Sequence, residues 1–171
     1  KHVIELERAK ANIAYLSVNG KSVEHRIVDL SGVMGIFHSA LTNDEIDVPE
    51  GHYEEEQMKA TVVPNRNAIF SSILYGYALS IATKEDTEVI IALGVHSGDH
   101  AIYPDCRPEF YESLGDSFAI GNWDSERISF HIPYIDGDKE TILRDALDSC
   151  NKLDIDFDTI FRNTNTSYNP D

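Results

Sequence analysis

EVIIALGV, residues 88–95, runs directly into HSGDHAIYPDCRPEF, residues 96–110, and the pair decides how this chain is read. The first stretch is apolar almost throughout, which is how a strand buried on both faces of a helix-covered parallel sheet reads. Downstream, RPEFYESLGDSFA (107–119) has the pattern of a helix with Pro108 in its first turn. RISFHIP (127–133) is a second strand, and DKETILRDALDSCNKL (138–153) a helix with acidic residues early. Upstream, NRNAIFSSILYGYALSIAT (65–83) reads as an apolar helix whose first turn Asn65 or Asn67 is placed to cap. ATVVP (60–64) and HRIVDL (25–30) read as further strands, with a long polar loop over 31–57 containing the acidic run Glu54–Glu56. The chain opens in helical rhythm (Val3, Ile4, Leu6, Ala9, Ile13, Leu16), with Gly20 as its stop. Strands alternating with helices predict an α/β fold: one domain over 1–171 with a Rossmann-like, doubly wound, mostly parallel sheet.

Composition narrows the function classes. With 171 residues and 42% hydrophobic content the chain can bury a substantial core. Its net charge of -16 opposes general binding to nucleic-acid phosphates, which requires clustered Lys and Arg. Cys106 and Cys150 are too few for a disulfide scaffold and match no CxxC pair, so both are expected as thiols. No apolar run approaches the roughly 20 residues of a membrane helix, and KHVIELERAK (1–10) is too charged for a signal peptide. The expectation is a cytoplasmic protein acting on small molecules, with neither nucleic acid nor membrane as partner.

In an open parallel sheet, ligands bind beyond the carboxyl ends of the strands, where HSGDHAIYPDCRPEF lies. VVPNRN (62–67) repeats the design, a strand leading to polar residues at a helix start, where backbone N–H groups and the helix dipole favour phosphate or carboxylate. A zinc site from His96, His100 and Cys106 fails on spacing, since four and six residues match no closed zinc pattern. A Cys106 nucleophile would need a base and a depressed pKa, and the sequence displays neither. Asp99 and Asp105 taken singly are ordinary turn residues. Together with Arg107 and Tyr103 they point to a pocket for a polar, planar ligand.

YPDCRPEF (103–110), VVPNRNAIF (62–70), SALTNDEIDVPEG (39–51) and IPYIDGDKETIL (132–143) resemble, in order and spacing, the 7-cyano-7-deazaguanine synthases of queuosine biosynthesis. The resemblance implies an adenine nucleotide alpha hydrolase-like, PP-loop ATP pyrophosphatase fold. It implies conversion of 7-carboxy-7-deazaguanine and ammonia to the nitrile through an adenylated intermediate, with ATP and Mg2+. A homodimer is allowed for. Two alternatives stay open: a related PP-loop enzyme that stops at the amide or serves DNA 7-deazaguanine modification, and a non-catalytic ligand-binding relic.

The implied roles fall on residues of this chain. Asp99 and Asp105 would read the N–H groups of the base, Tyr103 would pack against it, and His96, Cys106 and Glu109 complete the substrate-binding set. Arg107 supplies a planar fork for a carboxylate or phosphate oxygen. Arg66 and Asn67 would stabilise charge on an acyl-adenylate, with Lys139 a further phosphate partner.

Three features depart from the family pattern. Its first strand and SGGxDS phosphate loop lie upstream of the opening helix, so a truncated chain is expected. Its SGY preceding PDC is here Ala101-Ile102-Tyr103. Ser167 stands where the first of four zinc-binding cysteines would, and since Ser is a poor zinc ligand no structural zinc is expected.

Overall fold

The computed structural model describes residues 3–39, 61–96, 98 and 103–164. Within them lie helices α1 (Val3–Val18), α2 (Ser31–Met34), α3 (Arg66–Glu85), α4 (Pro108–Gly121), α5 (Lys139–Leu153) and α6 (Phe157–Arg162). Two strands, β1 (Val89–Ala92) and β2 (Ile128–His131), complete the ordered elements. The chain divides into two compact units, one of residues 1–48 with 143–171 and the other of residues 49–142.

The second unit carries the sheet. β1 and β2 pair in parallel, Val89 opposite Ile128 and Ala92 opposite His131, with α4 in the crossover between them. Parallel pairing requires such a crossover because the chain must return to the same end of the sheet before the next strand begins. Ile91, in β1, packs with Tyr75 and Ala78 of α3, and Phe118 and Phe130 close the cluster. The Tyr75 and Phe118 ring centroids are 4.6 Å apart, and Tyr75 and Phe130 6.3 Å, within the range where aromatic pairs attract beyond their buried area.

Strand periodicity decides which residues reach this core. Ile91 is 3% exposed whereas its neighbour Ile90 is 67% exposed, so one face of β1 is buried and the other open. The expectation of a strand buried on both faces is therefore corrected: uniform apolarity does not tell which side is covered. Among the described residues the sheet has these two parallel strands.

Helix ends follow local chemistry. α1 closes where Gly20 adopts φ 74°, the Lys21 N–H reaching Leu16 O at 2.9 Å and the Gly20 N–H reaching Ser17 O at 3.1 Å, the paired Schellman bonds. At the start of α5 the Asp138 carboxylate accepts from both the Thr141 N–H and its hydroxyl, each at 2.8 Å, which holds Asp138 below the ordinary aspartate pKa. Asp156 does the same for α6, accepting from the Thr159 N–H at 2.7 Å.

In the first unit, side chains of α1 satisfy the end of α6. Asn12 Nδ2 donates to Ile160 O at 3.2 Å, Arg8 Nη1 donates to Arg162 O at 3.3 Å, and the Asp156 N–H donates to Tyr15 Oη at 2.9 Å. The bonds from Asn12 and Arg8 serve carbonyls at the C-terminal end of α6, and Tyr15 accepts the backbone N–H of Asp156 at its N-cap.

The bonds to Thr159 hold Asp156 below its ordinary pKa, so its stabilising contribution is present above the unfolded aspartate value and is lost as pH falls through the lowered folded value. Asp156→Ala is expected to lower the melting temperature at neutral pH, the gap from the parent closing on acidification below the aspartate range. Thermal denaturation across that range checks this, and a gap independent of pH would contradict it.

Three further sequence expectations are corrected. Residues 25–30 (HRIVDL) form no strand, and Ile27 and Val28 are 56% and 61% exposed. Residues 61–64 of ATVVP are likewise in no ladder, although Thr61 and Val63 are buried. Ser31–Met34 is a helical turn rather than loop, aided by the Ser31 N–H donating to Asp29 Oδ1 at 2.9 Å. The rest of that loop, with Glu54–Glu56, lies outside the described residues.

Candidate functional site

Two segments meet at the carboxyl end of β1: residues 61–67, which lead into α3, and the turn Pro104–Cys106, which leads into α4. The turn is a single 3₁₀ turn, with the Cys106 N–H reaching Tyr103 O at 2.9 Å. Proline forbids a preceding helix, leaving Tyr103 extended, and Pro108 then starts α4 at the position where its missing N–H costs least. Tyr103 and Cys106 are buried together against Val62 and Val95.

The segments are joined by polar bonds. Thr61 Oγ1 and Tyr103 Oη lie 2.6 Å apart with both residues buried. Asn67 Nδ2 donates to Asp105 O at 3.2 Å and to Cys106 Sγ at 3.4 Å, while the Asn67 N–H donates to Asp105 Oδ2 at 3.4 Å. Asp105 thereby supplies the carboxylate that the first turn of α3 favours. This corrects two expectations. Asn65, in the left-handed region at φ 59°, makes no capping bond through its side chain, and Asn67 turns its amide to Asp105 and Cys106 instead. The Asn67 N–H at the start of α3 is also not free for an external phosphate.

Asn67→Asp would replace the amide donor with a carboxylate facing the Asp105 carbonyl and the Cys106 sulfur. Leaving such groups unsatisfied costs about 1 to 3 kcal/mol, so the midpoint of urea denaturation is expected to fall accordingly. A midpoint equal to the parent's would show that these bonds contribute nothing to stability.

Tyr111, one turn into α4, is 5% exposed. Burial, then the neighbouring Cys106 and Asp105, push its hydroxyl pKa up, with Arg66 pulling the other way, so Tyr111 remains a neutral donor at ordinary pH. Its position four residues after Arg107 is the helical signal by which the sequence could have revealed it. Thr61, buried at the far end of the Tyr103 bond, carried no comparable signal.

The predicted residues are distributed as follows. Arg66 and Asn67 are the first two residues of α3; Arg107 immediately precedes α4, its side chain making no capping bond, and Glu109 is exposed in the first turn of α4. Tyr103, Asp105 and Cys106 form the turn beside Asn67. His96 follows β1 and accepts the Gly98 N–H through Nδ1 at 3.1 Å. Lys139 opens α5. Asp99, the Ala101-Ile102 pair and Ser167 lie outside the described residues. Among the described residues no three His, Cys, Asp or Glu side chains converge as a metal site, and no helix is long and apolar enough to cross a membrane.

The comparisons agree with the motifs. The family model described as "Queuosine biosynthesis protein QueC" matches residues 1–171. The chain is 42% identical over 169 residues to "7-cyano-7-deazaguanine synthase 1" of Colwellia psychrerythraea, covering 99% of this chain and 68% of that protein. Against the "7-cyano-7-deazaguanine synthase" of Pseudoalteromonas translucida, identity is 44% over 147 residues, 86% of this chain and 62% of that one. Against that of Caldicellulosiruptor saccharolyticus it is 41% over 157 residues, 92% and 63%. The chain thus spans 62 to 68% of the length of these curated relatives. No solved structure matches. The family match over the whole sequence, together with the two joined strand-end segments, means that the chain belongs to the queuosine biosynthesis protein QueC family.

Proposed function

We propose that this chain carries the substrate-handling part of an ATP-dependent synthase that converts 7-carboxy-7-deazaguanine and ammonia to 7-cyano-7-deazaguanine, as the names of its relatives suggest. The observation that carries the reading is the junction of YPDCR with VVPNRN at the carboxyl end of β1, which brings Arg66 and Arg107 to the starts of two helices beside one polar turn. The proposed frame is a single PP-loop-type α/β domain with a doubly wound sheet.

A carboxylate is a poor electrophile. Adenylation turns its oxygen into a leaving group, ammonia displaces AMP to give the amide, and a second activation with loss of the amide oxygen yields the nitrile. The demand on the protein is to hold anionic oxygens and keep water away. Arg66 and Arg107 supply charge and forked N–H donors, and Lys139 a further cation. Asn67, Asp105, Cys106 and Tyr103 keep the turn in place, and His96, Asp99 and Glu109 remain candidates for substrate contact. ATP suits the two guanidinium groups. Mg2+ finds no convergent carboxylates among the described residues, so no step is assigned to it.

Mass spectrometry tests the reading: the complete protein, given 7-carboxy-7-deazaguanine, ammonium and Mg-ATP, is expected to form the nitrile. Accumulation of the amide, heavier by one water, would favour an enzyme that stops one step earlier. Absence of any ATP-dependent product would leave a ligand-binding relic.

A further inference from the structure

We infer that the cleft between the first two turns of α4 and the segment leaving β2 seats the planar base of the substrate, with the Glu112 carboxylate reading its N–H edge. The inference rests on the synthase reading above and adds a site and a residue to it. The cleft is open to solvent, has a volume of about 320 Å³ and is lined by Pro108, Tyr111 and the exposed Glu112 of α4 and by Phe130, Ile132 and Ile135. That volume lies at the lower end of small-ligand pockets, about 300 to 1,000 Å³, which suits a bicyclic heterocycle better than a nucleotide.

Position and lining agree. Ile132 and Ile135 follow the last residue of β2, so the cleft opens at the carboxyl end of the sheet, where α/β folds bind ligands. Two aromatic rings and two isoleucines offer apolar surface to the faces of a flat ring. Glu112 is the charged member of the lining. An ionised carboxylate only accepts hydrogen bonds, and its two oxygens match two adjacent N–H donors. The guanine-type ring presents such a pair, N1–H beside the 2-amino group.

Asp105, suggested by sequence to read the base, and Tyr103, suggested to pack against it, direct polar atoms inward: the Tyr103 hydroxyl to Thr61, and Asp105 Oδ2 to the Asn67 N–H. Glu112 lies seven residues beyond Asp105, in the second turn of the helix that they introduce. Tyr111, which lines the cleft, follows Cys106 by five residues on the helix into which the polar turn leads. The cleft and the polar turn thus share α4, with Arg107 between them.

The test compares binding of 7-carboxy-7-deazaguanine with that of 7-carboxy-7-deazahypoxanthine, the same ring without its 2-amino group, by calorimetry on the complete protein. The parent is expected to prefer the amino-bearing ring by about tenfold, the worth of one charge-assisted hydrogen bond. Glu112→Gln should abolish that preference and leave the melting temperature near the parent's, whereas Ile135→Trp should fill the cleft and weaken both rings. If Ile135→Trp does not fold, the preference in Glu112→Gln decides alone. An undiminished preference in Glu112→Gln overturns the inference and leaves the synthase reading standing, provided the parent still forms nitrile. A parent that binds neither ring and consumes no ATP overturns that reading and this inference with it.

Discussion

Tyr75→Ala is expected to destabilise the unit of residues 49–142 by about 3 to 5 kcal/mol, the range found when a buried aromatic side chain is truncated to alanine. Tyr75 is 5% exposed and stands between α3, the sheet and α4, touching the Phe118 and Phe130 rings. Truncation removes its own transfer free energy and leaves a cavity that neither ring can fill without leaving its place beside Ile91. Tyr75→Phe keeps the ring and should retain most of the stability. Urea denaturation measures both, and a loss below about 1 kcal/mol for Tyr75→Ala would mean that the cluster relaxes around the gap and is not the organising core of this unit.

Arg107→Ala is expected to lower ATP-dependent turnover efficiency by about ten- to a hundredfold, which corresponds to loss of a charge-assisted bond worth roughly 1.5 to 3 kcal/mol. The backbone of Arg107, extended at φ -84° and ψ 152°, introduces α4, and its side chain takes no part in capping. The melting temperature of the variant, measured beside turnover, separates a functional loss from a structural one. Arg107→Lys retains the charge but not the planar fork, so it should resemble Arg107→Ala more than the parent. Cys106→Ala serves as the comparison. It removes one of the bonds made by the Asn67 amide and leaves the one to Asp105 O, so its loss should be under tenfold. An inactive Cys106→Ala beside a near-normal Arg107→Ala would show that the turn works through its thiol and that the pocket reading is wrong.

Helices were legible in the sequence because their hydrogen bonds are local. The apolar rhythm of α1, Gly20 beyond it, Pro108 at the start of α4 and Asp138 before α5 each act within a few residues of the bond they make, and each lies at the predicted place. β1 and β2 were legible for a related reason: each is a short apolar run, and a helix between them permits parallel pairing. The motif residues YPDCR and VVPNRN identified the family without any geometry, through residue types in a particular order.

Only tertiary structure decided which apolar run would be a strand and what each polar group would meet. HRIVDL and ATVVP have strand composition, yet strand bonds come from a distant partner that composition does not name, and the described residues give them none. Ile90 and Ile91 are the same residue type one position apart, and the covering of one face of the sheet by α3 buries only the second. The start of α3 was recognisable as a place for an anion, but that the anion would be Asp105, thirty-eight residues downstream of Asn67, follows from the junction of two strand-end segments. Local periodicity sets where a helix begins; which charge meets its first N–H groups depends on where the chain returns in space.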